Sequence, residues 1–180
     1  MKKSLFITSL TVLFSMVITA QTHRVEGKII KDFGETFTVN NPEIKTDISA
    51  DLKVIMDVSK SSEDKSVINK YMVTAARFLN MHASAGMKKD QLIAAITIHG
   101  NAWQDVLKND AYKTKFGVDN PNLKLIEQLN AAGVDIIICG QTAAFRKMDR
   151  KDVTSEVKFA LSAMTALLQY QNNGYKFLKF

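Results

Sequence analysis

Three short runs constrain what this chain can fold into: "LKVIMDV" at 52–58, "QLIAAITIHG" at 91–100 and "VDIIIC" at 134–139. Each is apolar and rich in β-branched residues with little alternation. A strand with one wet face alternates apolar and polar side chains. A strand buried on both faces does not, and it belongs to a parallel sheet covered by helices. The segments between the runs have the opposite period. "VINKYMVTAARFLNMHASAG" places Val67, Tyr71, Ala75 and Phe78, and also Ile68, Met72 and Leu79, at helical spacing, with Gly86 as the stop. "NAWQDVLKND" predicts a short helix or turn. Asn120-Pro121 predicts a helix start with Asn as N-cap and Pro at the first position, and Gly133 closes that helix.

"VTSEVKFALSAMTALLQYQNNG" is predicted as one last helix, apolar at Val157, Ala160, Leu161, Met164, Leu167 and Leu168 and ended by Gly174. "YKFLKF" is a final strand. Strand alternating with helix implies right-handed βαβ crossovers. The expected fold is α/β: a three-layer α/β/α sandwich over residues 51–180, with a mostly parallel sheet of four to five strands.

The start of the chain has a different character. Residues 1–20, "MKKSLFITSLTVLFSMVITA", have a basic start at Lys2 and Lys3, an apolar stretch from Leu5 to Val17 and a small residue, Ala20, at the cut. This is the pattern of a cleavable secretory signal, too short for a span of ~20 apolar residues. It predicts export, to a periplasm or another oxidising compartment, with no membrane attachment after cleavage. Residues 21–50 predict an arm with short β-prone pieces broken by Gly27 and Gly34 that lies across the main domain or a neighbour. The formal net charge of +6 loses Lys2 and Lys3 with the signal and becomes +4. Clusters such as "KNDAYKTK" and "FRKMDRKD" mix both signs and read as solvated faces. Nucleic acid is not expected, because no basic stripe is interleaved with aromatics.

The chain has one cysteine, Cys139. In an oxidising compartment it cannot pair within its own chain. Parallel strands present their carboxyl ends at one edge, where open α/β sheets bind ligands. That edge receives Asp57 from the first run, His99 from the second and Cys139 from the third. Cys139 is either a small apolar filler or a thiol whose pKa is lowered by surrounding backbone N–H groups and by Arg146 and Lys147. His99 is either its base or a strand-end histidine satisfied by backbone. Asp57 either orients that histidine or caps a turn. Gly100, Asn101, Gly140 and Gln141 flank these positions as candidate ligand-binding residues. His23 and His82 have no ligand spacing, so no metal is expected, and no P-loop, GxGxxG or GxSxG motif calls for a cofactor or a serine nucleophile.

The ordered set "KVIMDVS", "ITIHGNA", "LNAAGVDIIICGQT" and "SAMTALLQYQNNGYKFL" resembles the DsrE family of DsrE/DsrF-like proteins over residues 50–180. The resemblance implies a three-layer α/β/α fold and assembly into homotrimers or homohexamers. It also implies a cysteine that accepts sulfane sulfur as a persulfide and passes it to a partner protein. Cys139 stands at a cysteine position common in that family. The signal departs from cytoplasmic members and excludes tRNA thiolation. The expected function is an exported thiol or persulfide carrier acting through Cys139. The alternative is a non-catalytic oligomeric module that binds a small anionic or nucleotide-like ligand at the strand ends.

Overall fold

The computed structural model describes residues 24–180, so the predicted signal at 1–20 lies outside the described residues. Two short strands, β1 (Arg24–Val25) and β2 (Thr36–Phe37), pair antiparallel and form a hairpin-like arm. The main sheet contains β3 (Leu52–Val58), β4 (Leu92–Ile98), β5 (Asp135–Cys139), β6 (Val157–Ala160) and β7 (Lys176–Leu178) in the order β6-β5-β4-β3-β7, every neighbour parallel. The helices are α1 (Lys70–Ser84), α2 (Asn109–Phe116), α3 (Leu123–Ala131), α4 (Gly140–Phe145) and α5 (Ala163–Asn172).

The steps β3 to β4 to β5 move one way across the sheet, and right-handed crossovers put α1 and α3 on one face. The chain then returns from β6 to β7 on the far edge, and the same handedness puts α5 on the opposite face. The α1/α3 face holds the main core, including Met56, Ile96, Ile98, Leu125, Leu129, Ile136 and Ile138. The α5 face buries a small cluster of Ile55, Ala95, Ile137 and Ala166. One helix is ~10 Å across, whereas five strands ~4.8 Å apart span ~19 Å. Hence α5 covers its face only in part.

Local chemistry explains the boundaries. Asn69 caps α1, its side-chain oxygen accepting from Tyr71 N–H at 2.8 Å and Met72 N–H at 3.4 Å, and Gly86 ends the segment at φ +106. The arm docks on α1 through Asn80, which is wholly buried. Its oxygen accepts from the N–H groups of Ile29 (3.0 Å) and Ile30 (2.9 Å), and its amide donates to the carbonyls of Ile30 and Phe33.

Three elements differ from the sequence pattern. The predicted helix over 153–174 is split into β6 and α5. Ser162 is extended and caps α5, its hydroxyl accepting from Thr165 N–H at 3.0 Å. Leu161, Met164 and Leu168 have helical spacing, but they point to solvent, and an edge strand shows no continuous apolar run. The helix predicted to open at Asn120-Pro121 starts at Leu123. Asn120 is buried instead, donating to the carbonyls of Asp105 and Leu107. The cluster "KNDAYKTK" at 108–115, read as a solvated face, lies almost wholly in α2 (Asn109–Phe116), which buries Tyr112.

Candidate functional site

The register fixes which side chains share the carboxyl edge. Asp57 pairs with Thr97, and Thr97 with Ile137, all on the α5 face. One step beyond the pair Ile98–Ile138, His99 and Cys139 emerge on that face from adjacent strands. The rim therefore carries Cys139, His99 and Asp57, and β7 adds Lys179.

The structure joins three of these. His99 Nε2 lies 2.6 Å from Asp57 Oδ1, and Lys179 Nζ donates to Asp57 Oδ2 at 2.8 Å. The Asp57 side chain is 6% exposed, while His99 and Lys179 reach solvent at 30% and 60%. Asp57 thus lies between an imidazole and an ammonium, and it orients the His99 ring. Thr97, fully buried in the same register row, has a hydroxyl without a hydrogen-bond partner among the described residues.

Cys139 takes its bonds from elsewhere. It is 5% exposed and N-caps α4, its Sγ accepting from Thr142 N–H at 3.4 Å. Burial pushes the thiol pKa up. Donation from Thr142 (hydroxyl and N–H) and from the Ala163 and Gln141 N–H groups outweighs that, and the net shift is below the ordinary thiol value. The hydrogen bond comes from Thr142 in α4, and the nearby N–H groups of Gln141 and, at the start of α5, Ala163 also favour the thiolate. Arg146 and Lys147 are not among the groups that lower it.

The flanking glycines are required. A Cβ on Gly140 would lie 2.5 Å from the Ala160 carbonyl oxygen and 3.1 Å from that of Leu161. This close approach brings the β6–α5 turn, and with it Ala163 N–H, against the sulfur. Gly100 has φ +55, and a Cβ there would lie 2.8 Å from Ser59 O. Asn101 N–H donates to that same carbonyl at 2.9 Å, and its side chain accepts from Arg146 Nη2 at 3.4 Å. Gln141 Nε2 reaches Leu161 O at 3.5 Å.

Sequence reasoning missed Lys179 and the Ser162–Ala163 helix start. Parallel pairing of the last run with β3 would have shown the lysine. Ser162 three residues before Thr165 was the cap signal hidden inside a run of helical period. Among the described residues, no three His, Cys, Asp or Glu side chains are grouped to hold a metal ion, and no helix is long and apolar enough to cross a membrane.

Comparison with known proteins agrees with this architecture. Residues 53–180 match the DsrE/DsrF-like family, and the chain belongs to that family. Among solved structures it is similar to the E. coli protein ychN, with a TM-score of 0.52 and 15% identity over 72% of this chain and 99% of that one. It is equally similar to MTH1491, a protein of unknown function from Methanobacterium thermoautotrophicum, with a TM-score of 0.51 and 15% identity over 72% of this chain and all of that one. At that identity the likeness speaks for the fold alone. No curated protein matches.

Proposed function

We propose that this protein is an exported thiol carrier in which Cys139 receives and hands on a sulfane sulfur. The observation that carries the reading is a nearly buried Sγ that N-caps α4 and accepts from Thr142 N–H, with its pKa held below the ordinary thiol value. Such a setting favours the anion, both as thiolate and as the persulfide that replaces it. The step balances without an added oxidant. The Cys139 thiolate attacks the outer sulfur of a donor persulfide R–S–SH, the new S–S bond forms as the old one breaks, and the donor leaves as R–S⁻. His99, oriented by Asp57, is the rim group nearest in register to supply or take the proton. The buried Thr97 hydroxyl offers a further polar partner on the same face.

Family membership supports the reading. Export rests on the signal-like residues 1–20, and no second cysteine exists to resolve the persulfide within the chain. Transfer therefore requires a partner thiol. Self-association through the α5 face, in trimers or hexamers, fits its exposed Leu161, just before α5, and Met164 and Leu168 on it.

The test is intact mass after incubation with a small-molecule persulfide. The mature protein gains one sulfur atom and Cys139→Ser does not. A wild-type mass unchanged by several persulfide donors overturns the proposal, as does equal loading of Cys139→Ser.

A further inference from the structure

The opposite side of the carboxyl edge carries a cleft that the thiol chemistry does not use. It opens between the loop 59–69, the start of α1 and the 3-10 segment Gly100–Val106, with a volume of about 1010 Å³. Its position follows from the topology, since the loop after β3 and the segment after β4 leave neighbouring parallel strands at the ligand-binding edge.

The loop is held from beneath by buried polar side chains. Asp105, 1% exposed, accepts from Ser61 Oγ at 2.8 Å, Asn69 Nδ2 at 2.6 Å and Asn122 Nδ2 at 3.4 Å. Gln104 Nε2 donates to Ser61 Oγ at 2.8 Å, Asn69 Nδ2 to Lys60 O at 2.8 Å, and Ser62 Oγ to Ile68 O at 2.8 Å. These bonds fix the loop before any ligand arrives, which lowers the ordering cost of binding.

The lining alternates cations with aromatic rings. Arg146 stands 5.7 Å from the Trp103 ring centre, Lys70 5.3 Å from Tyr71, and Lys65 5.8 Å from Phe116. Lys60 also lines the cleft, and its ammonium makes no hydrogen bond or ion pair among the described residues. Two carboxylates, Glu63 and Asp64, stand on the rim. Asp64 is occupied by Ser66, whose N–H and hydroxyl donate to it at 2.8 and 2.7 Å. Four cations face two carboxylates. Tyr71 and Phe116 are half-buried and offer ring area beside the positive charge, while Trp103 is 9% exposed at the base of the cleft, with Arg146 and Lys115 beside its ring. An inorganic ion would use only the cations and an apolar ligand only the rings.

We infer that this cleft binds a small anion that carries a planar ring, with Lys60, Lys70 and Arg146 taking the anionic group and Tyr71 and Phe116 the ring. The assignment is independent of Cys139, which lies on the α5 side of the sheet.

Trp103 is the only tryptophan in the chain, so its fluorescence reports on this cleft alone. Adenosine 5′-monophosphate serves as probe, with adenosine and inorganic phosphate as its two halves, and calorimetry as the second readout. Saturable binding of the nucleotide is expected, weakened about tenfold in Lys70→Ala and in Arg146→Ala, as loss of a charged hydrogen bond predicts. Cys139→Ser binds as the wild type does, which separates this site from the carrier proposal. The inference is overturned by no saturable binding of the nucleotide, or by affinity unchanged in both variants. Phosphate binding as tightly as the nucleotide removes the role of the rings. Adenosine binding as tightly removes that of the cations.

Discussion

The two faces of the sheet are built differently from the same strands. On the α1/α3 side, β-branched and leucine side chains interlock in a deep core, and the buried asparagines 69, 80, 120 and 122 are all hydrogen-bonded. On the α5 side, a single helix covers a cluster of four buried residues. Beside it lies the row of Cys139, His99, Asp57 and Lys179, with Leu161, Met164 and Leu168 open to solvent. Crossover handedness explains the difference, because only the return from β6 to β7 reaches the second face. The first face supplies the stability. The second, under-covered face carries a nearly buried sulfur at its rim and leaves apolar side chains open to solvent.

Truncations should divide along the same line. Leu129→Ala, on α3 against the sheet, should cost ~2–5 kcal/mol, because the cavity cannot collapse in a close-packed core. Leu168→Ala, 62% exposed on α5, should stay within ~0.5 kcal/mol in the monomer. Urea midpoints with unchanged slopes would measure both. Comparable losses would show that the faces share the load and that the contrast is wrong.

A second contrast is electrostatic. Burial pushes Asp105, beneath the α1/α3-side loop, up to about 6. A carboxyl raised above its unfolded value of ~3.9 binds its proton more tightly when folded, so its contribution is full below pH 4 and is lost as pH rises through 6. The two-unit shift corresponds to about 3 kcal/mol between those limits. Stability should therefore fall from pH 4.5 to pH 7, and Asp105→Asn should flatten that part of the profile. An identical profile in the variant would mean that the carboxyl titrates normally and that the loop is wetter than the structure shows.

The α1/α3 face was the legible one. Unbroken apolar runs identify β3, β4 and β5 because burial on both sides removes alternation, and Gly86 and Gly133 stop helices where positive φ is needed. The carboxyl-edge rule then places Asp57, His99 and Cys139 without any alignment. On the α5 face those rim positions were legible, but the elements that cover them were not. β6 is a four-residue edge strand whose residues Val157 and Ala160 continue the helical period of α5, so the boundary at Ser162 disappears. The N–H of Ala163 near the sulfur disappears with it. Rim pairing is also invisible in sequence: the His99 ring turns to Asp57, and Lys179 joins them only because β7 returns beside β3. Asp105 gave no local signal, since a lone aspartate between Gln104 and Val106 looks the same whether exposed or buried.

On the α5 side, two substitutions should show small costs in stability and large ones in chemistry. Gly140→Ala should push the Ala160 and Leu161 carbonyls away by a few tenths of an ångström or more, costing ~1–3 kcal/mol of overpacking. Alkylation of Cys139 should then quicken as the turn moves off the sulfur, and its pH dependence should shift upward as the Ala163 N–H is lost.

Cys139→Ser should be gentler still. The residue caps α4, and serine is a better cap than cysteine, so its hydroxyl can accept the Thr142 N–H that now points at Sγ. A melting shift equivalent to less than ~1 kcal/mol is expected, within the range of capping substitutions, while persulfide loading vanishes. A loss of ~1–3 kcal/mol would instead mark an unpaired buried hydroxyl. The sulfur would then be filling space rather than receiving N–H donors, and the α5 face would be a thinner copy of the first rather than a reactive one.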